Sequence, residues 1–202
     1  MPTGFIRQDP VADPRAFRNV RPATAFLLLL AALPAVPSPA RADPCGPQLI
    51  ADFVEDVSDY FVLKNASEPG WTVRRVEIDL RDSAGRLIFD VSESGAGVSG
   101  WRPYAQAGGT AVAVGHTEVT DGDSLLTVGF ARFDPGERFL FTIDLDDTLP
   151  AGTQTWVDGA EIAGGRVIAV FAGPDGSEVE RSAPFEPDSR ADTGRGESCL
   201  VS

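Results

Sequence analysis

Two groups of acidic side chains could bind a cation. Asp144, Asp146 and Asp147 lie within four residues of one another, and Asp121 and Asp123 flank a glycine. Calcium takes about six to eight oxygen ligands, which carboxylates and backbone carbonyls supply. Both groups fall where a predicted strand passes into a turn, so the sequence predicts a calcium site at one rim of the fold.

Glu161, in the glycine-rich segment 158–162, is a further candidate ligand. The spacing excludes an EF-hand: counting from Asp144, the sixth position is Leu149 and the twelfth is Thr155, where that loop needs glycine and glutamate. The alternative is that all these acids are solvated charges that keep the protein soluble. Clustered carboxylates repel one another when no cation is bound, which favours the calcium hypothesis.

Motifs for catalysis are weak. His116 is the single histidine, so a two-histidine metal site is excluded and a Ser-His-Asp triad would need His116 itself. The G-x-G-x-x-G spelling at 95–100 is followed by Trp101 and a proline two residues later, whereas a dinucleotide site needs a helix there. It predicts instead a turn with close backbone packing. Spacing alone identifies no carboxylate pair for glycoside hydrolysis, and we predict a protein that is not an enzyme.

Aromatic side chains suggest a second kind of site. Trp101, Tyr104 and Trp156 are candidates for stacking on sugars, because flat apolar rings match the faces of sugar rings. The alternative for these residues, and for Trp71, is burial in the core.

The elements that must position these side chains follow a period of two. Phe139, Phe141, Ile143 and Leu145 alternate with polar residues, which places all four on one face of a strand. The same alternation, divided by glycine and proline clusters, predicts eight strands. These lie at 60–64, 71–80, 86–91, 110–119, 125–133, 139–147, 166–172 and 177–181.

The connections favour a compact all-β architecture. Turn chemistry at 134–137 and 173–176 predicts two tight hairpins, and the adjacent Arg74 and Arg75 predict a bulge. Segment 95–109 is expected to be a loop packed on the domain, and 49–57 a short helix. The predicted fold is a single antiparallel two-sheet β-sandwich, Ig-like or jelly-roll-like, with its termini joined by a disulfide.

The amino-terminal segment predicts export. Arginines precede an apolar run at 23–36, and Ala40-Arg41-Ala42 matches an A-x-A cleavage site. The run is shorter than the roughly 20 residues that span a bilayer, so we expect no transmembrane anchor after cleavage. Residues 1–42 are therefore predicted to be a Sec-type signal peptide. The destination would be the periplasm, the cell surface or the medium.

Cys45 and Cys199 flank the remaining chain. An exported protein with an even cysteine count favours an intramolecular disulfide, worth about 5 kcal/mol on the chain-entropy estimate. The alternatives are unpaired thiols or an intermolecular bond. The predicted domain organisation is a sandwich at 43–185 and a polar tail at 186–202 tied by Cys199.

The charge balance limits the partners. The whole chain carries a net charge of −13. The signal segment holds two acids and five arginines, which leaves 28 acidic and 12 basic side chains after it, a net charge of −16. Such a surface repels nucleic acids and anionic membranes and attracts cations.

Several stretches resemble one known family. LIFDVSESGAGV at 87–98, WRPY at 101–104, DGD at 121–123, FTIDLDDTLP at 141–150 and GAEIAG at 159–164 resemble bacterial secreted proteins called aggregation factor core proteins. That name derives from sponge adhesion particles whose assembly depends on calcium. The resemblance covers about residues 60–170, and the run 143–149 is its most specific part. It implies calcium-linked adhesion and implicates Asp90, Asp144, Asp146, Asp147 and Glu161.

The sequence thus predicts an exported, non-catalytic β-sandwich that binds Ca²⁺ and serves in adhesion or matrix assembly, with a cell-surface protein or glycan as partner. A carbohydrate-binding module and a structural envelope protein without a ligand are the alternatives. A hydrolase would depend on His116 or on single acids. The sequence leaves the oligomeric state open.

Overall fold

The computed structural model describes residues 46–56, 59–97, 100–148 and 156–194. Within these ranges the chain forms two five-stranded antiparallel sheets, a two-stranded ribbon and one short helix. The all-β, two-sheet part of the prediction is confirmed. The predicted signal peptide and both cysteines of the predicted disulfide lie outside the described residues. In the part of the chain that is described, no helix has the length and apolarity to cross a membrane.

The elements are as follows, in chain order. They are β1 (Leu49–Val54), β2 (Tyr60–Asn65), β3 (Thr72–Asp79), β4 (Ile88–Asp90), β5 (Ala105–Gly109), β6 (Val112–His116), β7 (Leu125–Arg132), β8 (Arg138–Thr142), β9 (Asp144–Asp146), α1 (Gly159–Ile162), β10 (Arg166–Ala172), β11 (Glu178–Pro184) and β12 (Arg190–Asp192).

The strands are divided between three antiparallel units. The first sheet has the order β12-β1-β2-β8-β5, the second has the order β11-β10-β3-β7-β6, and β4 pairs with β9 in the ribbon. The predicted hairpin at 173–176 is confirmed, since β10 and β11 pair across it. The predicted bulge is also confirmed, because Val170 pairs with Arg75 and Phe171 with Val73, which leaves Arg74 as the extra residue.

Alternating apolar side chains form one core. Phe61, Phe139 and Phe141 are fully buried, and the rings of Phe61 and Phe141 stack at 5.1 Å between centroids. Ile143 and Leu145 continue the buried set, so the predicted inward face of this segment is confirmed. The core therefore contains the apolar residues that alternate with Asp144 and Asp146.

Four predicted elements differ from the structure. Segment 49–57 is not a helix: β1 occupies 49–54, and its alternating burial pattern shows a strand with one face inward. The predicted strand at 139–147 divides at Ile143 into β8 and β9, which belong to different units. The tail after residue 186 is not only polar coil: it includes β12, which pairs with β1. Segment 95–109, predicted as a loop, ends in β5.

The turn at 134–137 forms as predicted but joins different elements from those expected. Glu137 N–H donates to Asp134 O at 3.0 Å, and Gly136 has a φ of 86°. The turn connects β7 of the second sheet to β8 of the first, so it is an arch between the sheets and not a hairpin. Gly136 N–H donates to Asn65 O at 2.8 Å, which ties the arch to β2.

Asn65 links the two sheets through its side chain. It is fully buried at the end of β2. Its Nδ2 donates to Phe133 O at 2.8 Å and to Trp71 O at 3.0 Å, and its Oδ1 accepts from Ser67 N at 3.0 Å. Because Phe133 and Trp71 adjoin strands of the second sheet, one buried amide satisfies backbone groups from both layers.

Candidate acidic site

The ribbon places three aspartates on one face. Asp90 pairs with Asp144, and Ile88 pairs with Asp146. Opposed residues of an antiparallel pair share a face, so Asp90, Asp144 and Asp146 project to the same side, while Phe89 and Leu145 are buried in the core on the other. Asp90 is 3% exposed and Asp146 is 5% exposed. The ribbon therefore buries two carboxyl groups next to each other.

The turn at 121–123 brings a third carboxyl group to this face. Phe89 N–H donates to Asp123 O at 2.7 Å, and Gly122 N–H donates to Phe89 O at 3.0 Å, which fixes the turn along β4. Asp121 Oδ1 accepts from Val91 N at 2.9 Å and from Ser92 N at 3.1 Å. The other oxygen, Oδ2, accepts from Ala96 N. Asp121 thus holds the loop 91–97 over the ribbon.

Two glycines allow that loop to lie directly on the carboxyl groups. A Cβ atom added to Gly97 would overlap Oδ2 of both Asp90 and Asp146, and one added to Gly95 would overlap the carboxyl group of Asp121. The close backbone packing predicted from the glycine spacing is confirmed at both positions. We call the set Asp90, Asp121 and Asp146 under this loop the acidic cluster.

Asp90 is the central member of the acidic cluster. Burial, followed by contacts with the carboxyl groups of Asp121 and Asp146, raises the pKa of Asp90 to about 7. Its Oδ1 is buried and has no hydrogen-bond partner in the described part of the chain. Burial alone would raise the pKa of Asp121, but the amides of Ala96, Val91 and Ser92 outweigh it and hold that pKa below its ordinary value.

Two more aspartates adjoin the cluster. Burial, and next the charge of Asp146, raises the pKa of Asp144 to about 6, although Arg102 partly opposes the rise. Burial, and next the charge of Asp144, raises the pKa of Asp59 to about 7. Asp59 is not identified from the sequence as a site residue, although its position in the alternating pattern indicates burial. It precedes β2 by one residue and has the same parity as the buried Phe61 and Leu63, which the alternation turns inward.

The remaining predicted ligands lie elsewhere or serve local structure. Glu161 belongs to the capping box of α1: its Oε2 accepts from Asp158 N at 2.9 Å, and Asp158 Oδ1 accepts from Glu161 N at 3.0 Å. Asp123 closes its own turn, accepting from Thr120 N and Oγ1, each at 2.8 Å. Asp147 follows β9 and is partly buried. The structure therefore brings together Asp90, Asp121, Asp144 and Asp146 and leaves Glu161 outside the set.

The candidate sugar-stacking residues differ in exposure. Trp101 is 49% exposed and Trp156 is 50% exposed. Tyr104 instead contacts the ring of His116 at 4.0 Å and that of Phe141 at 5.3 Å, and burial raises its pKa to about 12. Trp71 packs against the core. Tyr104 is thus occupied by contacts within the protein, and the two exposed indoles remain candidates.

The acidic cluster is not a preformed metal cage. Among residues 46–56, 59–97, 100–148 and 156–194, no group of three or more His, Cys, Asp or Glu side chains is arranged so that it could hold a metal ion. The Asp90 carboxyl group makes hydrogen-bond contact with both neighbouring carboxyl groups. Such contact is typical of a shared proton, because two ionised carboxylates at this distance repel each other.

Comparison with known protein families, with curated proteins and with solved structures finds no match. A β-sandwich hosts many unrelated functions. The function must therefore be inferred from the site.

Replacing Gly97 by alanine tests the packing of the loop. The added methyl group must displace the carboxyl groups of Asp90 and Asp146 or lift the loop, so we expect a loss of about 1–3 kcal/mol in the free energy of unfolding. Gly108→Ala is the matched control, because nothing lies within 4 Å of the added Cβ there. Urea denaturation of both variants measures the difference. Equal stabilities would contradict the described packing.

The raised pKa values predict how stability depends on pH in the presence of a chelator. The pKa values of Asp59, Asp90 and Asp144 rise from 3.8 to about 7, 7 and 6 on folding. Between about pH 4 and pH 7 the folded state therefore binds more protons than the unfolded state. The free energy of unfolding falls as pH rises through this range. Asp79, Asp121 and Asp175 act in the opposite sense because their pKa values lie below 3.8 in the folded protein. Their contribution to stability is nearly complete above about pH 5, so it changes little over the range where the three raised groups titrate.

We expect the free energy of unfolding to fall by at least about 1 kcal/mol between pH 4.5 and pH 7.5, as measured by urea denaturation in chelator. Asp90→Asn removes one titrating group and should flatten the profile. The exposed acid Glu178→Gln should leave the profile unchanged. A profile that rises with pH, or one that Asp90→Asn leaves as steep, would show that these carboxyl groups are not the cause.

Proposed function

We propose that the protein is an exported, non-catalytic β-sandwich, Ig-like or jelly-roll-like, that binds Ca²⁺ at the acidic cluster and takes part in adhesion or matrix assembly at the cell surface. The observation that carries the proposal is Asp90. It is 3% exposed, it lies between Asp121 and Asp146, and its Oδ1 has no hydrogen-bond partner among the described residues. An orphaned, buried carboxylate oxygen beside two further carboxyl groups suits a hard cation.

Calcium would remove an energetic cost that the cluster otherwise bears. A buried ionised carboxylate is destabilising unless it is paired or coordinated, and the chain already carries a net charge of −13. A bound divalent cation would neutralise the cluster. Carboxylate oxygens of Asp90, Asp121 and Asp146 are the donors that we assign to it.

Binding would require the carboxyl groups to separate. Asp90 contacts both neighbours directly, so it must lose its proton and move away from at least one of them. The loop 91–97, held by Asp121 through three amide groups, is the segment that such a change would order. This coupling gives calcium a means to control the surface around the site.

The adhesive role rests on the resemblance and on the predicted export. Three of the five stretches that carry the resemblance, 87–98, 121–123 and 141–150, contain the residues of the acidic cluster. A predicted disulfide between Cys45 and Cys199 fits the same compartment. A cell-surface protein or a glycan is the partner class that we assign.

Thermal unfolding of the purified protein, first in chelator and then across calcium concentrations, tests the calcium site. A ligand that binds only the folded state adds about 2.7 kcal/mol at a hundredfold excess over its Kd, which raises the Tm of a chain of this size by about 5 to 10 °C. Asp90→Asn and Asp146→Asn should abolish the rise, whereas Glu178→Gln should keep it. Magnesium, which dehydrates reluctantly, should give a smaller rise.

A Tm that calcium does not change would overturn the calcium proposal. An equal rise in wild type and in Asp90→Asn would place the cation elsewhere on this acidic protein.

A carbohydrate-binding module is the second candidate, favoured by the position of Trp101. Its indole is 49% exposed, and the next residue anchors the loop to the ribbon: Arg102 N–H donates to Asp90 O at 3.0 Å, and Arg102 O accepts from Asp144 N at 3.1 Å. An exposed ring on an anchored loop suits stacking on a sugar.

A glycan screen compares wild type with Trp101→Ala and, as a matched control, with Trp71→Phe, which alters an indole packed on the core. Stacking on the exposed indole predicts binding that only Trp101→Ala abolishes, with a loss of about 1–3 kcal/mol. Binding that survives Trp101→Ala would exclude this ring as the platform.

A further inference from the structure

Both sheets end on the same side of the fold in small-residue strands. β5 is the last strand in the order of the first sheet, and β6 is the last in the order of the second. The two strands follow each other in the chain, linked by Thr110 and Ala111, whose amides donate to Arg138 O at 2.9 and 3.1 Å. We call this side, residues 105–116, the open edge.

The open edge lacks charge. Residues 103–117 contain no Asp, Glu, Lys or Arg, in a chain whose net charge is −13. Charged side chains normally protect sheet edges against pairing with another chain. The region is therefore where a second acidic molecule meets the least electrostatic repulsion.

The second sheet also exposes aliphatic side chains at this edge. Val112 is 45% exposed and Val114 is 72% exposed. Ala111 and Ala113 pack inward against the core, and Val114 lies over Gly129 of β7, 3.2 Å from where a Cβ would be. This is an apolar strip that solvent does not favour.

The opposite edges of both sheets carry the protection that β6 lacks. β11 has Glu178, Glu180 and Arg181 along its length. β12 has only three residues, and its Arg190 forms an ion pair with Asp52 of β1 at 3.1 Å. β5 and β6 both lack this protection, and of the two only β6 also exposes large aliphatic side chains, Val112 and Val114, so β6 is the edge strand that we single out.

We propose that β6 pairs antiparallel with β6 of a second copy of this chain, about a twofold axis, to give a continuous ten-stranded sheet. An antiparallel pair of identical strands is self-complementary, as a twofold interface requires. Segment 103–117 itself offers no charge to a strongly charged partner, and the neighbouring Arg132, which donates to Thr110 O, is already paired with Glu137. A second copy brings the same neutral strand.

The pairing should be short and reversible. The register of β6 against β7 shifts between Val112 and Ala113 and again between Ala113 and Gly115, and such irregularities limit the length of a regular ladder. Besides the backbone hydrogen bonds between the two β6 strands, the contact would include the side chains of Val112 and Val114 from each copy. The inference is independent of calcium, because it uses none of the acidic cluster.

Sedimentation velocity of the purified protein over about a hundredfold range of concentration tests this interface, in chelator and in calcium. We expect a concentration-dependent dimer in both conditions, strengthened by salt because two acidic copies repel each other. Val114→Asp should weaken the dimer at least about tenfold. Ser182→Asp, which adds the same charge on exposed β11 at the other edge of the sheet, should leave it unchanged.

Val114 is 72% exposed, so Val114→Asp should fold, and circular dichroism with thermal unfolding checks that it does. A protein that stays monomeric at every concentration would overturn the proposal. So would a dimer that Val114→Asp does not weaken. A dimer that needs calcium and survives Val114→Asp would place self-association at the acidic cluster, which would refute the open edge while leaving the calcium proposal intact.

Discussion

The structure depends on one alternation that continues across a change of sheet. From Phe139 to Leu145 every second side chain enters the core, although the chain leaves β8 for β9 at Ile143. Asp144 and Asp146 must then face away from the core, and the loop 91–97 covers Asp146. Burial of Asp90 and Asp146 follows from the packing of the phenylalanines, because the same backbone serves both faces.

The period-two alternation predicts most strands and the inward face of residues 139–145, because every second side chain of a strand points to the same face of the sheet. It could not predict which sheet a strand joins. The residues at 134–137 favour the backbone angles of a tight turn, as in a hairpin. Those angles are local, so they do not determine whether the two flanking strands pair with each other. Pairing partners depend on distant contacts such as Gly136 to Asn65. Segment 49–54 alternates as a strand does. In β12 the single buried residue, Ala191, lies between two polar residues, which is too short a pattern to predict a strand, and the pairing with β1 defines it.

The acidic site was only partly accessible from sequence. Asp144 and Asp146 stand out by spacing, whereas Asp90 entered through the family resemblance alone. Glu161 was assigned to the site although Asp158 and Glu161 have the spacing of a capping box, a competing local use that the structure adopts. Asp59 was overlooked because a carboxylate at an inward position contradicts ordinary burial preferences.

Asn65 has a consequence for how the protein can be produced. Asn65, Ala66 and Ser67 spell the acceptor for N-linked glycosylation, yet the amide of Asn65 is fully buried and all its polar atoms bond within the fold. A glycan attached there during synthesis in a eukaryotic secretory pathway would have to displace the link between the two sheets. Once folded, the same residue is out of reach of a glycosyltransferase. The order of folding and modification would thus decide whether such a host yields native protein.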